Sequence, residues 1–161
     1  MVIVLMGVSG SGKTTAGSLL AQQLGWEFAD ADDYHPAANV DKMRNGIPLT
    51  DADRAPWLDA LRSLIADWIK QATSVVLACS ALKQAYRKKL RVDQQVRVVY
   101  LKASPELLAQ RLLERRSHYM KKEMLESQLA TLEEPEDAVV VDADRTTKEI
   151  VHEIRTRLGL E

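Results

Sequence analysis

The sequence is poor in several features that would assign it to other classes of protein. Among its 161 residues there is one cysteine, Cys79, so an internal disulfide is excluded and we expect a reducing compartment. Its 22 basic and 23 acidic side chains nearly cancel, so no global field favours nucleic acid or a membrane as partner. No apolar run reaches the ~20 residues that cross a bilayer. The apolar start lacks the basic region and cleavage site of a signal peptide, and we expect a cytoplasmic protein.

The length of the chain predicts a single domain spanning residues 1–161, and the order of its apolar segments predicts an α/β fold. Strand-like runs lie at 2–6, 26–29, 74–79, 96–101 and 138–141. Helical patterns lie at 14–24, 57–69, 104–116 and after Thr146, where Thr146 and Glu149 form a capping box and Gly159 ends the helix. We expect Pro56 to shape the start of the helix at 57–69. Strands that are apolar throughout and alternate with helices predict a parallel sheet covered on both faces.

A glycine-rich loop, GVSGSGKT, follows the first predicted strand and precedes the first predicted helix. Its glycines allow successive backbone N–H groups to turn inward at a helix N-terminus, where they bind polyphosphate. The lysine is placed to reach the β- and γ-phosphates, and the threonine hydroxyl to bind Mg²⁺. The alternative is a Gly/Ser turn that holds no ligand. The predicted nucleotide-binding residues are Gly7, Val8, Ser9, Gly10, Ser11, Gly12, Lys13 and Thr14.

The motifs of two large classes of phosphate-loop protein, the GTPases and the motor ATPases, are absent from the sequence. A GTPase would carry Asn-Lys-x-Asp and Asp-x-x-Gly, and neither occurs. A motor ATPase would carry an apolar run ending in Asp-Glu in mid-chain, whereas the run that ends at Cys79 has no acid. A small phosphotransferase remains, in which catalysis depends on positioning and electrostatic stabilisation.

Three aspartates follow the second predicted strand. In parallel sheets, ligands bind beyond the carboxyl ends of the strands, which is where these aspartates lie. Asp32 is the candidate base that accepts a proton from an acceptor hydroxyl. Asp30 lies two residues earlier, and on an extended chain its side chain would point to the same side as that of Asp32. There it would hold a metal-bound water. Asp33 adds a third like charge, which favours a metal or polyol site. An acidic turn in solvent is the alternative.

Basic residues cluster in the predicted lid, residues 115–130. Arg111 and Arg115 are four apart, so they share a helical face and could close over the nucleotide. Arg115 is the candidate that stabilises charge on the transferring phosphoryl group. A solvated basic helix end is the competing interpretation. The segment also contains Arg116, Lys121 and Lys122, which crowd around His118.

Four segments together resemble the gluconate kinases of the small phosphate-loop kinase group. They are GVSGSGKT, the stretch HPAANVDKMRNGIPLTDADRAPWL at 35–58, CSALK followed by Tyr86-Arg87, and SQLATLEEP at 127–135. The resemblance runs in order over nearly the whole chain. It implies a three-layer P-loop NTPase fold with a five-stranded parallel sheet and a helical lid, and commonly a homodimer. It also implies phosphorylation of D-gluconate by ATP, with Mg²⁺, at the 6-hydroxyl. Small departures are Ala31 and Ser117, where the family often has glycine.

Gluconate is an anionic polyol, so its pocket needs a cation for the carboxylate and short polar groups for the hydroxyls. The candidate cations are Arg54, Lys83 and Arg87, which lie in segments that match the family's motifs; the alternative for Arg54 is that it pairs with the neighbouring acids. His35 and Asn39 are candidates for the hydroxyls. His118 and Gln128 are also assigned to the acceptor, although Gln128 could be a plain surface residue. Two alternatives stay open: a kinase of this fold that acts on another sugar acid, on shikimate or on a nucleotide, and a regulator that binds ATP without phosphotransfer.

Overall fold

Five parallel strands form one sheet in the computed structural model, which describes residues 1–114 and 122–160. The strands are β1 (Val2–Met6), β2 (Glu27–Asp30), β3 (Val75–Ala78), β4 (Val96–Lys102) and β5 (Val139–Asp142). They are arranged in the order β2-β3-β1-β4-β5, and each neighbouring pair is parallel. The described helices are α1 (Lys13–Leu24), α2 (Ala37–Arg44), α3 (Asp51–Lys70), α4 (Gln84–Leu90), α5 (Pro105–Glu114), α6 (Lys122–Thr131) and α7 (Thr147–Leu158).

The central strands are buried on both faces because each face carries its own apolar layer. Every residue of β1 is buried, and so is every residue of β3. Alternate side chains of β1 enter different cores: Val4 packs with Trp57 and Leu61 of α3, whereas Leu5 packs with Leu20 of α1 and Ile154 of α7. The predicted three-layer α/β fold with a five-stranded parallel sheet is therefore confirmed.

The strand predictions differ from the structure by about one residue at either end, and one helix differs more. The helix predicted from 57 begins at Asp51, and Pro56 lies inside it. Thr50 caps this helix: its hydroxyl accepts from the N–H of Asp53, while the Asp53 side chain accepts from the N–H of Thr50. Pro56 lies in the second turn of this helix and has no N–H to donate to the carbonyl of Ala52, four residues before it.

The parallel arrangement brings five chain segments to one edge of the sheet. Because all strands run the same way, the segments after Met6, Asp30, Ala78, Lys102 and Asp142 lie at their shared carboxyl ends. A short 3₁₀ turn, Ala31–Tyr34, follows β2 there. The described residues contain no helix with the length and apolar character of a membrane span.

The cap of α7 provides a test of local helix stabilisation. The hydroxyl of Thr146 accepts from the N–H of Glu149, and Glu149 returns a contact to the N–H of Thr146. We expect Thr146→Ala to lower the free energy of unfolding by about 1 kcal/mol, because one donor of the first turn loses its partner. Urea denaturation of the full chain measures this change.

Thr147→Ala is the matched control, because Thr147 occupies the first helical position and is not the cap. An equal loss of stability in the two variants would contradict the assignment of Thr146 as the cap.

Candidate active site

The phosphate loop leaves β1 at Gly7, where the backbone packs too closely for a side chain. A Cβ on Gly7 would lie 2.7 Å from the hydroxyl oxygen of Ser11 and 2.9 Å from the carbonyl oxygen of Leu101. The loop ends at Gly12, the N-cap of α1, whose φ of 98° is in the region that favours glycine. The chain therefore forms a bare backbone cradle directly before a helix N-terminus, which is the geometry of a phosphate-binding nest.

Lys13 and Thr14 begin α1 and face the same pocket as the loop. The ammonium group of Lys13 donates to the carbonyl of Val8 at 3.1 Å. Burial lowers the pKa of Lys13, while the nearby carboxylates of Asp32 and Asp30 oppose that shift. The cradle and this ammonium group fit the phosphates of ATP.

Thr14 and Asp30 bring together two oxygen groups suited to Mg²⁺. The hydroxyl of Thr14 donates to Oδ2 of Asp30 at 3.2 Å. Among residues 1–114 and 122–160 there is no cluster of three or more His, Cys, Asp or Glu side chains that could hold a metal ion. A site with few protein oxygens fits Mg²⁺, which usually retains water molecules and is bound through substrate phosphates.

Asp32 follows β2 as expected, but it lies on the 3₁₀ turn and not on an extended chain. The turn is closed by Asp30, whose Oδ1 accepts from the N–H of Asp32 at 3.0 Å. Both side chains still line the pocket. The Asp32 side chain is 59% exposed, but the protein atoms around the pocket reduce the hydration of its carboxylate. This desolvation raises the pKa of Asp32. Asp30 and Asp33 raise the pKa further, whereas Lys13 lowers it.

Arg54 extends from α3 into the pocket, and a tyrosine holds it there. Its Nη1 donates to the hydroxyl oxygen of Tyr86 at 3.0 Å. The Tyr86 hydroxyl in turn donates to Asp51. The alternative that Arg54 pairs with the acids beside it is not supported by their hydrogen bonds, because Lys83 bonds Asp51 at 2.9 Å and Lys42 bonds Asp53 at 2.8 Å. Arg54 and Lys13 are the cations among the described residues that line the pocket.

Lys83 and Arg87, the other two candidates for the carboxylate, do not line this pocket. Lys83 is bound to Asp51 as described above. The guanidinium of Arg87 is buried and donates to the carbonyls of Ala81 at 2.7 Å and Glu133 at 2.8 Å. Ala81 has a φ of 46°, so Arg87 fastens an unusual turn after β3 to the segment after α6. Its position is that of a structural residue.

Gln128 links α6 to the phosphate loop. Its Oε1 accepts from the N–H of Ser9 at 2.8 Å, and its Nε2 donates to the hydroxyl of Ser9 at 3.1 Å. The side chain also lines the pocket. Gln128 therefore lies at the pocket and holds the phosphate loop at two points, while its role toward the acceptor stays a prediction.

Arg111 joins the phosphate loop to the end of β5. Its Nη1 donates to the carbonyl of Gly10 at 2.8 Å and its Nη2 to the carbonyl of Ala143 at 3.0 Å. The predicted site residues Arg115 and His118 lie outside the described residues, as does the part of the predicted lid from 115 to 121.

Some residues of the pocket were not assigned to the site from the sequence. Met43, Pro48 and Leu49 line it, and Met124 lines it from α6. The first three lie inside the segment 35–58 that resembles the gluconate kinases, which was the available signal. The contact of Arg54 with Tyr86 joins residues 32 apart in the chain, so no local sequence pattern could predict it.

Comparison with known proteins places this geometry among small kinases. A family model described as shikimate kinase matches residues 9–159. The chain is 46% identical to a probable gluconokinase of Xenopus tropicalis, over 96% of this chain and 91% of that protein. It is 50% identical to the gluconokinase of Gluconobacter oxydans, over 84% and 76%. The crystal structure of a gluconokinase from Sinorhizobium meliloti superposes with a TM-score of 0.89 at 42% identity, covering 98% of this chain and 90% of that one.

The contact between Gln128 and Ser9 predicts that charge at position 128 weakens ATP binding. Gln128→Glu keeps the shape and still accepts from the N–H of Ser9, but it places a negative charge beside the phosphate cradle. We expect the Kd for ATP to rise about 10-fold or more, equivalent to about 1.4 kcal/mol, with little change in Tm. Calorimetric titration with ATP measures the affinity.

Gln22→Glu is the control for this variant, since it adds the same charge on the exposed surface of α1. Wild-type affinity in the Gln128→Glu protein would show that Gln128 lies far from the bound phosphates.

Proposed function

Because this chain belongs to the shikimate kinase family of phosphate-loop kinases and, within it, to the gluconokinases, we propose that it transfers the γ-phosphoryl group of ATP to the 6-hydroxyl of D-gluconate. The observation that carries the proposal is identity of 46% and 50% to gluconokinases over most of the chain. The pocket supports it chemically, since a phosphate cradle, an acid and an arginine line one cavity.

The phosphate loop binds the nucleotide. Its backbone N–H groups and Lys13 bind the β- and γ-phosphates and stabilise the charge that spreads over the transferring group. Thr14 and Asp30 would hold Mg²⁺, which supplies further neutralisation of phosphate charge when bound. Gln128 and Arg111 keep the loop in place through the hydrogen bonds to Ser9 and Gly10.

The acceptor side of the reaction needs a base, and Asp32 is the proposed one. Its carboxylate accepts the proton of the 6-hydroxyl as the hydroxyl oxygen forms a bond to the γ-phosphorus. The bond between that phosphorus and the bridging oxygen of ADP breaks, and the electron pair leaves on ADP. The products are 6-phosphogluconate, ADP and the proton, which Asp32 releases to solvent. A raised pKa brings Asp32 closer to the value of an effective base at neutral pH.

Arg54 is the proposed partner of the gluconate carboxylate. A planar guanidinium binds a carboxylate through two parallel hydrogen bonds. Tyr86 occupies one of its five donors, which orients the group and leaves other donors for a ligand. Lys83 and Arg87 are less suitable, because their donors are bound to Asp51 and to backbone carbonyls.

Several further proposals rest on the sequence and on its resemblance to the gluconate kinases. They are the roles of Arg115 in charge stabilisation and of His118 at the acceptor, the use of Mg²⁺, the homodimer, the cytoplasmic compartment and the lack of nucleic-acid partners. Two alternatives for function are a different acceptor in the same pocket and ATP binding without phosphotransfer. The set of Lys13, Thr14, Asp32 and Arg54 favours phosphotransfer to an anionic acceptor.

Release of ADP from ATP and Mg²⁺ in the presence of different acceptors tests the proposed function. We expect strong stimulation by D-gluconate and weak stimulation by its epimers, glucose, shikimate and nucleoside monophosphates. Stronger stimulation by another acceptor would overturn the choice of gluconate. ATP binding without stimulation by any acceptor would support the regulator.

Removal of Arg54 predicts a loss of selectivity for the carboxylate. Comparison of gluconate with sorbitol, a neutral polyol of the same chain length, isolates that group. We expect Arg54→Ala to lower kcat/KM for gluconate by about 10- to 100-fold, since a hydrogen bond to a charged group contributes about 1.5–3 kcal/mol. The rate with sorbitol should change little, and so should the KM for ATP.

Arg62→Ala removes the same charge from the exposed side of α3 and serves as the control. An equal loss with gluconate and sorbitol in Arg54→Ala would contradict the pairing of Arg54 with the carboxylate.

Removal of the Asp32 charge predicts a loss of turnover with little loss of ATP binding. We expect Asp32→Asn to lower kcat by about 10²- to 10⁴-fold, the range for a general base. In the wild type the rate should fall as pH falls through the pKa of Asp32, at a midpoint above the ordinary 3.8. Steady-state kinetics across pH measures both effects.

Asp33→Asn is a neighbouring control that should retain turnover. Because the charge of Asp33 raises the pKa of Asp32, its removal should move the acid limb of the pH profile to lower pH. Near-wild-type turnover of Asp32→Asn would exclude Asp32 as the base.

A further inference from the structure

A buried amide determines how the histidine beside Asp32 carries its proton. Asn39 on α2 is 3% exposed, and its Nδ2 lies 2.8 Å from the backbone carbonyl oxygen of Asp53. A carbonyl oxygen can only accept a hydrogen bond, so the Asn39 atom that faces it must be the amide nitrogen. This contact fixes the orientation of the Asn39 side chain.

The same amide nitrogen lies 3.2 Å from Nδ1 of His35. An amide NH₂ group has two hydrogens, and the one not used by Asp53 points to the histidine ring. Nδ1 must then accept, so it carries no proton. A neutral imidazole has one N–H, and in His35 it therefore lies on Nε2.

The ring of His35 is also held in place and kept neutral. It stacks on Trp57 with ring centroids 4.2 Å apart and an interplanar angle of 15°, and Trp57 is itself anchored by a 2.7 Å bond from Nε1 to the carbonyl of Ala31. The charged groups that face the ring are Asp32 and Arg54. Burial, with help from Arg54, lowers the pKa of His35 to about 4.

The protonated nitrogen faces the proposed base. Nε2 of His35 lies 3.8 Å from Oδ1 of Asp32, which is too long for a direct hydrogen bond. A hydroxyl oxygen can contact both atoms at once. Because Nε2–H can only donate, such a hydroxyl accepts from His35 and has its own proton free for the carboxylate of Asp32.

We propose that Asn39 is a positioning residue that holds His35 in the tautomer protonated on Nε2, so that the acceptor hydroxyl is bound with its proton directed to Asp32. The proposal rests on the proposed phosphorylation of a hydroxyl. It assigns the proton of the reacting hydroxyl to one group only: His35 donates to the hydroxyl oxygen, and Asp32 takes the proton as the oxygen bonds to phosphorus. With the other tautomer, the hydroxyl could donate to His35 instead.

The tautomer is measured first, in the free protein without nucleotide or sugar, by two-dimensional ¹H–¹⁵N NMR of the labelled histidine rings. The chain has three histidines, and the signals of His35 are identified by their loss in His35→Gln. We expect Nδ1 of His35 to show the shift of an unprotonated ring nitrogen and Nε2 that of a protonated one at neutral pH. A proton on Nδ1 would overturn the proposal, whatever acceptor the enzyme uses.

Asn39→Asp tests whether the amide is the cause. A carboxylate at position 39 accepts a hydrogen bond and so favours a proton on Nδ1. We expect the NMR signals to report protonated Nδ1 and kcat/KM for gluconate to fall about 10-fold or more, by about 1.4 kcal/mol, with unchanged KM for ATP. Asn45→Asp adds the same charge at the exposed end of α2 and is the control. An unchanged tautomer in a folded Asn39→Asp protein would contradict the proposal.

Substitution of His35 tests the donor without depending on the fold of Asn39→Asp. The amide nitrogen of glutamine can replace Nε2–H as a donor, whereas alanine cannot. We expect His35→Gln to retain about 10-fold more kcat/KM than His35→Ala. Equal activities would contradict the role of the donor. If the wild type has the expected tautomer but does not phosphorylate gluconate, the proposed function fails while the structural assignment stands.

Discussion

The parallel arrangement of five strands is the constraint on which the rest of the site depends. It brings the ends of β1, β2 and β3 to one edge, where three segments of chain follow Met6, Asp30 and Ala78. The two cores on either side of the sheet hold these ends in fixed relative positions. Catalysis of phosphoryl transfer requires little beyond such positioning and electrostatic stabilisation, and the fold supplies both from separate segments of chain.

Asp53 connects the two sides of the acceptor pocket. Its carboxylate pairs with Lys42 and accepts from the N–H of Thr50, the cap of α3; these contacts lower the pKa of Asp53 to about 2. Its backbone carbonyl binds Asn39, and the next residue is Arg54. The start of one helix therefore positions both the proposed carboxylate partner, Arg54, and the amide of Asn39 that contacts His35.

The fold and the nucleotide half of the site could be predicted from the sequence because their signals are local. The phosphate loop is eight consecutive residues, and the strands are short continuous apolar runs. The start of α3 was placed too late, since the apolar stripe begins at Trp57 while its cap lies at Thr50. The acceptor half was harder: three cations stood in suitable segments, and only tertiary contacts separate the pocket residue Arg54 from Arg87, whose donors bind the carbonyls of Ala81 and Glu133.

The match to a shikimate kinase model and the identity to gluconokinases agree on phosphotransfer and differ on the acceptor. The position of the transferred group on the product tests the central claim most directly. After reaction of gluconate with ATP and Mg²⁺, the phosphorus signal of the product in ³¹P NMR should couple to the two protons of the C6 methylene group. A phosphorus coupled to a single proton, which indicates a secondary hydroxyl, or the absence of any phosphorylated gluconate would contradict the account.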